Sequence, residues 1–229
     1  MESVTLGLVI GFVLGMRHAL EPDHLTAVAT LVQVRNRRST AFLGACWGIG
    51  HSVSLLAVGC ILAALNARLP TSVADAFEIL VGAMLVTLGL RAIWNARLSA
   101  TSGPPSAHEH WTGTHAHAAG VPHVHVGPWT LAWRPLLVGL VHGLAGSGAL
   151  TALVMAELPT LGTRLAYIIF FGFGSVIGMG FLTGLVGWQL RRIGLKRNWG
   201  RALGWVTGVA SVGLGGWWGW TAALSLFRA

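Results

Sequence analysis

Six stretches of this chain are long and apolar enough to cross a bilayer, which takes about 20 apolar residues. They run over residues 4–34, 41–65, 76–98, 135–158, 163–190 and 202–227. No other feature limits the fold as strongly. Only 10% of the residues are charged, against about a quarter in soluble domains. The expected fold class is all-α: a polytopic membrane protein of six transmembrane helices. The 32 glycines and 11 tryptophans suit close helix contacts in lipid and anchoring at its headgroups.

The positive charges predict an orientation. Arg35, Arg37 and Arg38 follow the first stretch; Arg91, Arg97 and Arg134 flank the third connection. Arg191, Arg192, Lys196, Arg197 and Arg201 gather at the fifth. The second connection sets Arg68 against Asp75 and Glu78, and the fourth Glu157 against Arg164. Odd connections are therefore expected in the cytoplasm, with both termini outside a multi-pass cell (inner) membrane protein. The net charge of +8 reads as anchors and topology signals, not a nucleic-acid footprint. The N-terminus lacks a basic leader and reads as a retained first span. Cys46 and Cys60 lie fourteen residues apart in one stretch, roughly 21 Å along a helix, too far to bridge.

The two halves align. A shift of 124 residues lays Gly15, His18 and Leu20 on Gly139, His142 and Leu144, and Gly48 and Gly50 on Gly172 and Gly174. In the third stretch the shift is 126, pairing Gly82, Val86 and Gly89 with Gly208, Val212 and Gly215. Three spans per half invert the second half, as in many secondary transporters. The expected organisation is a first three-helix repeat over 1–98, a His-rich cytoplasmic linker over 99–134 and a second repeat over 135–229. The linker is rich in Gly, Pro, Ser and Thr and is expected to be flexible.

Within the first stretch lies "RHALEPDH", Arg17–His24. Pro22 removes a backbone hydrogen bond in mid-span, and such breaks are tolerated where protein or a watery cavity satisfies the freed groups. Its mate, "GLAGSG" (Gly143–Gly148), also favours a break, so the first helix of each half is expected to be broken. On an unbroken helix His18 would point roughly 140° from Asp23 and roughly 120° from His24; unwinding lets all three converge. Counted from the nearest cytoplasmic arginine, His24, His51 and His142 lie roughly 16, 20 and 12 Å deep, near the middle of an apolar core about 30 Å thick. Ionisable groups there mark functional sites.

Imidazoles with a carboxylate suit a transition metal such as nickel, zinc, copper or iron; magnesium or calcium would want more oxygens. The candidate ligands are His18, Asp23, His24, His51 and His142. The bland alternative is a polar cluster joining helices, and His142 reads equally as a ligand, a ligand's partner or a proton carrier. Glu21 reads as an ion-access or ligand-supporting residue, and Arg17 as its partner or as a snorkelling side chain. Ser147 and Ser175, mates of Asp23 and His51, fit hydrogen bonds across helices. The linker pairs His108/His110, His115/His117 and His123/His125 read either as an auxiliary metal-loading segment or as a weakly chelating spacer. Trp217, Trp218 and Trp220 read as an interfacial belt.

"HALEPDH" with "GIGHS" (Gly48–Ser52) resembles the nickel/cobalt transporter family in its broad sense. "VHGLAGSGALTALV" and "FGFGSVIGM" resemble its six-span branch, which includes the membrane protein encoded with some ureases. The resemblance implies transport of nickel or cobalt, with His18, Asp23, His24 and His51 as ligands, no prosthetic group, and a functional link to urease or hydrogenase maturation. The chain departs from the larger members in carrying Glu21–Pro22 within the motif, in lacking their later acidic motif, and in having fewer spans. Uptake leads, because the six-span plan resembles the urease-associated branch; efflux or metal sensing are the alternatives.

Enzyme activity is not expected. A disulfide shuttle needs cysteines on facing helices, and a metalloprotease needs His-Glu-x-x-His on one helix face. No phosphate-binding Gly-Lys-Ser/Thr loop is present. The expected partners are the divalent ion and the bilayer; the sequence leaves homo-oligomerisation open.

Overall fold

A computed structural model describes residues 2–31, 37–65, 67, 69–98, 109–110, 113–114, 124–126, 129–157, 160–192 and 197–228. The first apolar stretch becomes two helices, α1 (Glu2–His18) and α2 (Pro22–Leu31). The other five each become one: α3 (Arg37–Leu65), α4 (Thr71–Leu98), α5 (Trp133–Glu157), α6 (Leu161–Arg192) and α7 (Arg197–Arg228).

The break between α1 and α2 follows from Pro22. A proline disfavours helical backbone in the residue before it, here Glu21. Two tight bonds close α1, from Leu20 N to Arg17 O at 2.9 Å and from Glu21 N to His18 O at 3.0 Å. Pro22 then opens α2, where its missing N–H costs nothing because the first helical N–H has no partner anyway.

The second half differs from expectation. Residues Gly143–Gly148 stay helical within α5. Glycine weakens a helix by about 1 kcal/mol against alanine but keeps its N–H, so packing can override it. Gly143 lies against the carbonyl of His51 and the side chain of Ser54 on α3, where any Cβ would collide.

Besides the seven helices, the described residues of the linker form two short antiparallel strand pairs. Strand β1 (Glu109–His110) pairs antiparallel with β2 (Gly113–Thr114), and β3 (Val124–Val126) with β4 (Trp129–Leu131). The alternation of valine and histidine in β3 has the two-residue period of a strand.

Helices α3 and α6 pack together at the centre, with α1 on α6 and α5 on α3; α4 pairs with α7. Glycines set these approaches. Gly15 meets the backbone of Phe171, and Gly139 that of Trp47; Gly174 meets Phe12, and Gly50 meets Leu136. Each pair becomes the other under the 124-residue shift. Gly82 against Gly215 and Gly208 against Gly89 are related in the same way by 126. At all these positions a side chain would strike a backbone atom, so only the smallest residue fits. Serine hydroxyls reinforce the contacts: Ser52 donates to Gly172 O at 3.0 Å, Ser175 to Gly15 O at 3.3 Å and Ser211 to Leu85 O at 2.8 Å.

Among the described residues, three helical segments are long and apolar enough to cross a membrane: Thr40–Leu62, Thr71–Leu98 and Leu161–Leu190. On α6, Phe173, Ile177, Phe181 and Leu185 form one exposed stripe. An apolar ridge of this kind suits contact with lipid.

Candidate metal-binding site

The site lies where the α1–α2 break meets α3 and α5. His18 ends α1; Asp23 and His24 open α2; His51 is in the middle of α3; His142 lies on α5. Asp23 occupies the first turn of α2, where the helix dipole favours negative charge. His24, His51 and His142 are fully enclosed, Asp23 is buried, and His18 is partly exposed.

The chain break brings the motif together. The ring of His24 lies 4.4 Å from that of His18, centre to centre, and 4.3 Å from that of His142. His18 Nε2 and His51 Nε2 are 3.1 Å apart, close enough for one to donate to the other. His142 Nε2 donates to Asp23 Oδ2 at 2.6 Å. Trp47 packs beside both His24 and His142, and Phe171 beside His18, fixing the rings from the apolar side. Glu21 pairs with His18 Nδ1 at 2.9 Å, taking the histidine where the sequence suggested Arg17.

Several buried polar atoms here have no hydrogen-bond partner: Asp23 Oδ1, both ring nitrogens of His24, and Nδ1 of His51 and of His142. Buried polar atoms are nearly always bonded, so this many orphans in one place is a donor set suited to a cation. His24 Nδ1 and Asp23 Oδ1 are 3.0 Å apart without the alignment of a hydrogen bond. Ligand atoms about 2.1 Å from a tetrahedral ion stand roughly 3.4 Å from one another. Two sets of three come near that spacing, each within 4.8 Å: His18, His24 and His51, and Asp23, His24 and His142. Nitrogen with one carboxylate suits the borderline transition metals.

These side chains line a cavity of about 300 Å³. Five further residues that the sequence did not assign to it complete its wall: Glu78 on α4, Ala145 on α5, and Trp217, Trp218 and Thr221 on α7. Glu78 read as a connection charge and the tryptophans as an interfacial belt. Their only signal was position, since each lies one to three turns from the same end of its helix pair. Ser175 is buried, its hydroxyl directed to the carbonyls of Gly15 and Phe171. The side chain of Ser147 lies outside the described residues, as do His108, His115, His117 and His123; His110 and His125 are described only as backbone in β1 and β3.

A urease accessory protein UreH from Bacillus sp. (strain TB-90) is 35% identical over 181 residues, covering 79% of this chain and 75% of the relative. This chain belongs to the UreH family. Two Arabidopsis thaliana chloroplast proteins, FOR GROWTH AND FERTILITY 1 and 2, are 31% and 30% identical to this UreH-family chain. Each alignment covers 90% of it but only 56% and 54% of those longer relatives. No protein-family profile matches the chain, and no solved structure does.

Proposed function

We propose that this UreH-family chain is a multi-pass cell-membrane transporter of divalent transition-metal ions, nickel first and cobalt next, working in uptake. The observation that carries the reading is the buried cluster of four histidines and one aspartate with orphaned donor atoms in one cavity. Such groups are costly inside a membrane and are kept there for ions or protons.

Six spans in two inverted halves give the cluster its setting. The exchange symmetry of the glycine contacts supports that plan, and transporters of this kind bind substrate near the midplane at a helix break. With odd connections in the cytoplasm, the start of α4 and the end of α7 lie outside. Glu78 and Trp217–Thr221 then line an outward-facing mouth, where two carboxylates, Glu21 and Glu78, concentrate cations. The preference for nickel or cobalt rests on the resemblance to the nickel/cobalt transporters, and the urease-accessory relative fits a link to urease maturation. The chain acts as a carrier, not an enzyme. It binds no prosthetic group, and the metal is its cargo.

Cells producing the protein, compared with cells producing His24→Ala at equal membrane abundance, test this directly. Uptake predicts raised cell nickel for the wild type only. Lowered cell nickel would mean efflux, and no difference would remove the transport reading.

A further inference from the structure

The five ligand side chains do not form one ring. They form two triads, and His24 alone belongs to both. The ring of His24 lies at nearly equal distance from those of His18 and His142, 4.4 and 4.3 Å between centres, while His51 and His142 are 6.1 Å apart. Exposure singles out one end of the cluster: Glu21 is 52% exposed and His18 13%, while Asp23, His24, His142 and His51 are 6%, 1%, 2% and 0%. The triads also differ in charge. The one that contains the partly exposed His18 has three imidazoles, and the other includes the carboxylate of Asp23.

We infer that the cavity holds two successive metal stations, an outer one at His18, His24 and His51 and an inner one at Asp23, His24 and His142, with His24 handing the ion from one to the other. The inference rests on the transport reading. Three protein ligands leave an ion coordinatively open, so each station can accept a new ligand before losing an old one. The shared imidazole spares the ion a bare passage through apolar surroundings. A dication gains its carboxylate only at the inner station, which draws it inward. His18 and His142 are repeat mates, so exchanging the halves swaps the histidines that head the two stations. In this conformation His18 is partly exposed and His142 is buried.

Cobalt(II) alone is the probe. The full chain in detergent is titrated with Co²⁺ while its visible ligand-field absorption is recorded, for wild type, H18A, H142A and H24A. Each must elute like the wild type, and H142A, which loses the contact with Asp23, is accompanied by H142Q, which keeps it. The expected result is one Co²⁺ per wild-type chain. H18A and H142A each keep a cobalt spectrum, H18A at nearly the wild-type affinity because the carboxylate-bearing station is untouched and H142A at about 10- to 100-fold lower affinity, and the two spectra differ because one station has a carboxylate. H24A shows no cobalt spectrum over that range. If H18A and H142A lose binding as completely as H24A, there is one composite site and the two stations are wrong. Retention of wild-type affinity by H24A would equally overturn the handover. A wild type that binds no Co²⁺ would overturn the metal reading itself, and the stations with it.

Discussion

His142 and Asp23 meet at 2.6 Å although 119 residues separate them in the chain. The contact joins α2 in the first half of the chain to α5 in the second, between two buried side chains. It holds the inner face of the cavity together and keeps the carboxylate of Asp23 aimed at His24. Breaking a buried pair of this kind costs about 3–5 kcal/mol when one partner is left alone. His142→Ala should therefore lower the melting temperature in detergent as well as slow metal uptake. His142→Gln, which can still donate to Asp23, should recover most of the melting temperature and little of the uptake.

Pro22 places Asp23 and His24 by ending α1 where it does. Pro22→Ala removes the constraint on Glu21 and lets α1 run into α2, turning the motif's side chains apart around the axis. Metal affinity should fall about tenfold or more, while thermal stability changes little or rises. A melt and a nickel titration of the same sample check both halves of this expectation.

The glycine contacts make a paired prediction. Gly15→Val and Gly139→Val each push a side chain into the facing backbone and should destabilise by about 1–3 kcal/mol or more, the usual cost of overpacking. Gly213→Ala, which has nothing within 4 Å, should be neutral or slightly stabilising, because alanine favours a helix. Melting temperatures of the three variants decide it.

Glu21 and Glu78 act through charge at the mouth. Glu21→Gln and Glu78→Gln should raise the KM for nickel several-fold with kcat nearly unchanged, and the difference from wild type should shrink in high salt, where such fields are screened. A fall in kcat with constant KM would instead place these carboxylates in the transport step.

Much of this was readable in advance because apolar runs and mid-helix ionisable residues are costly arrangements with few explanations. Apart from the break at Pro22 the described residues of each apolar stretch are helical, and the motif's His18, Asp23 and His24 do converge at that break. His142 was marked by its depth in an apolar stretch and by its alignment with His18. The expected break at Gly143–Gly148 failed because glycine merely lowers helix propensity, and contact with His51 and Ser54 decided the backbone. Glu78, Trp217, Trp218 and Thr221 were hidden for a different reason. They reach the cavity through the packing of α4 and α7 beside α2, a tertiary placement that no local pattern encodes. The division of five ligands into two triads was equally invisible, since it depends on which face of each ring meets which neighbour.

The decisive measurement is ion flux through the purified protein. Liposomes carrying the chain and an internal metal-sensitive dye are exposed to nickel or cobalt, beside liposomes carrying His24→Ala. The transport reading predicts dye response for wild type and none above empty liposomes for the variant. If no metal enters with the protein in either orientation, with or without a pH gradient, or if His24→Ala transports as well as wild type, the buried cluster does not carry ions across the membrane.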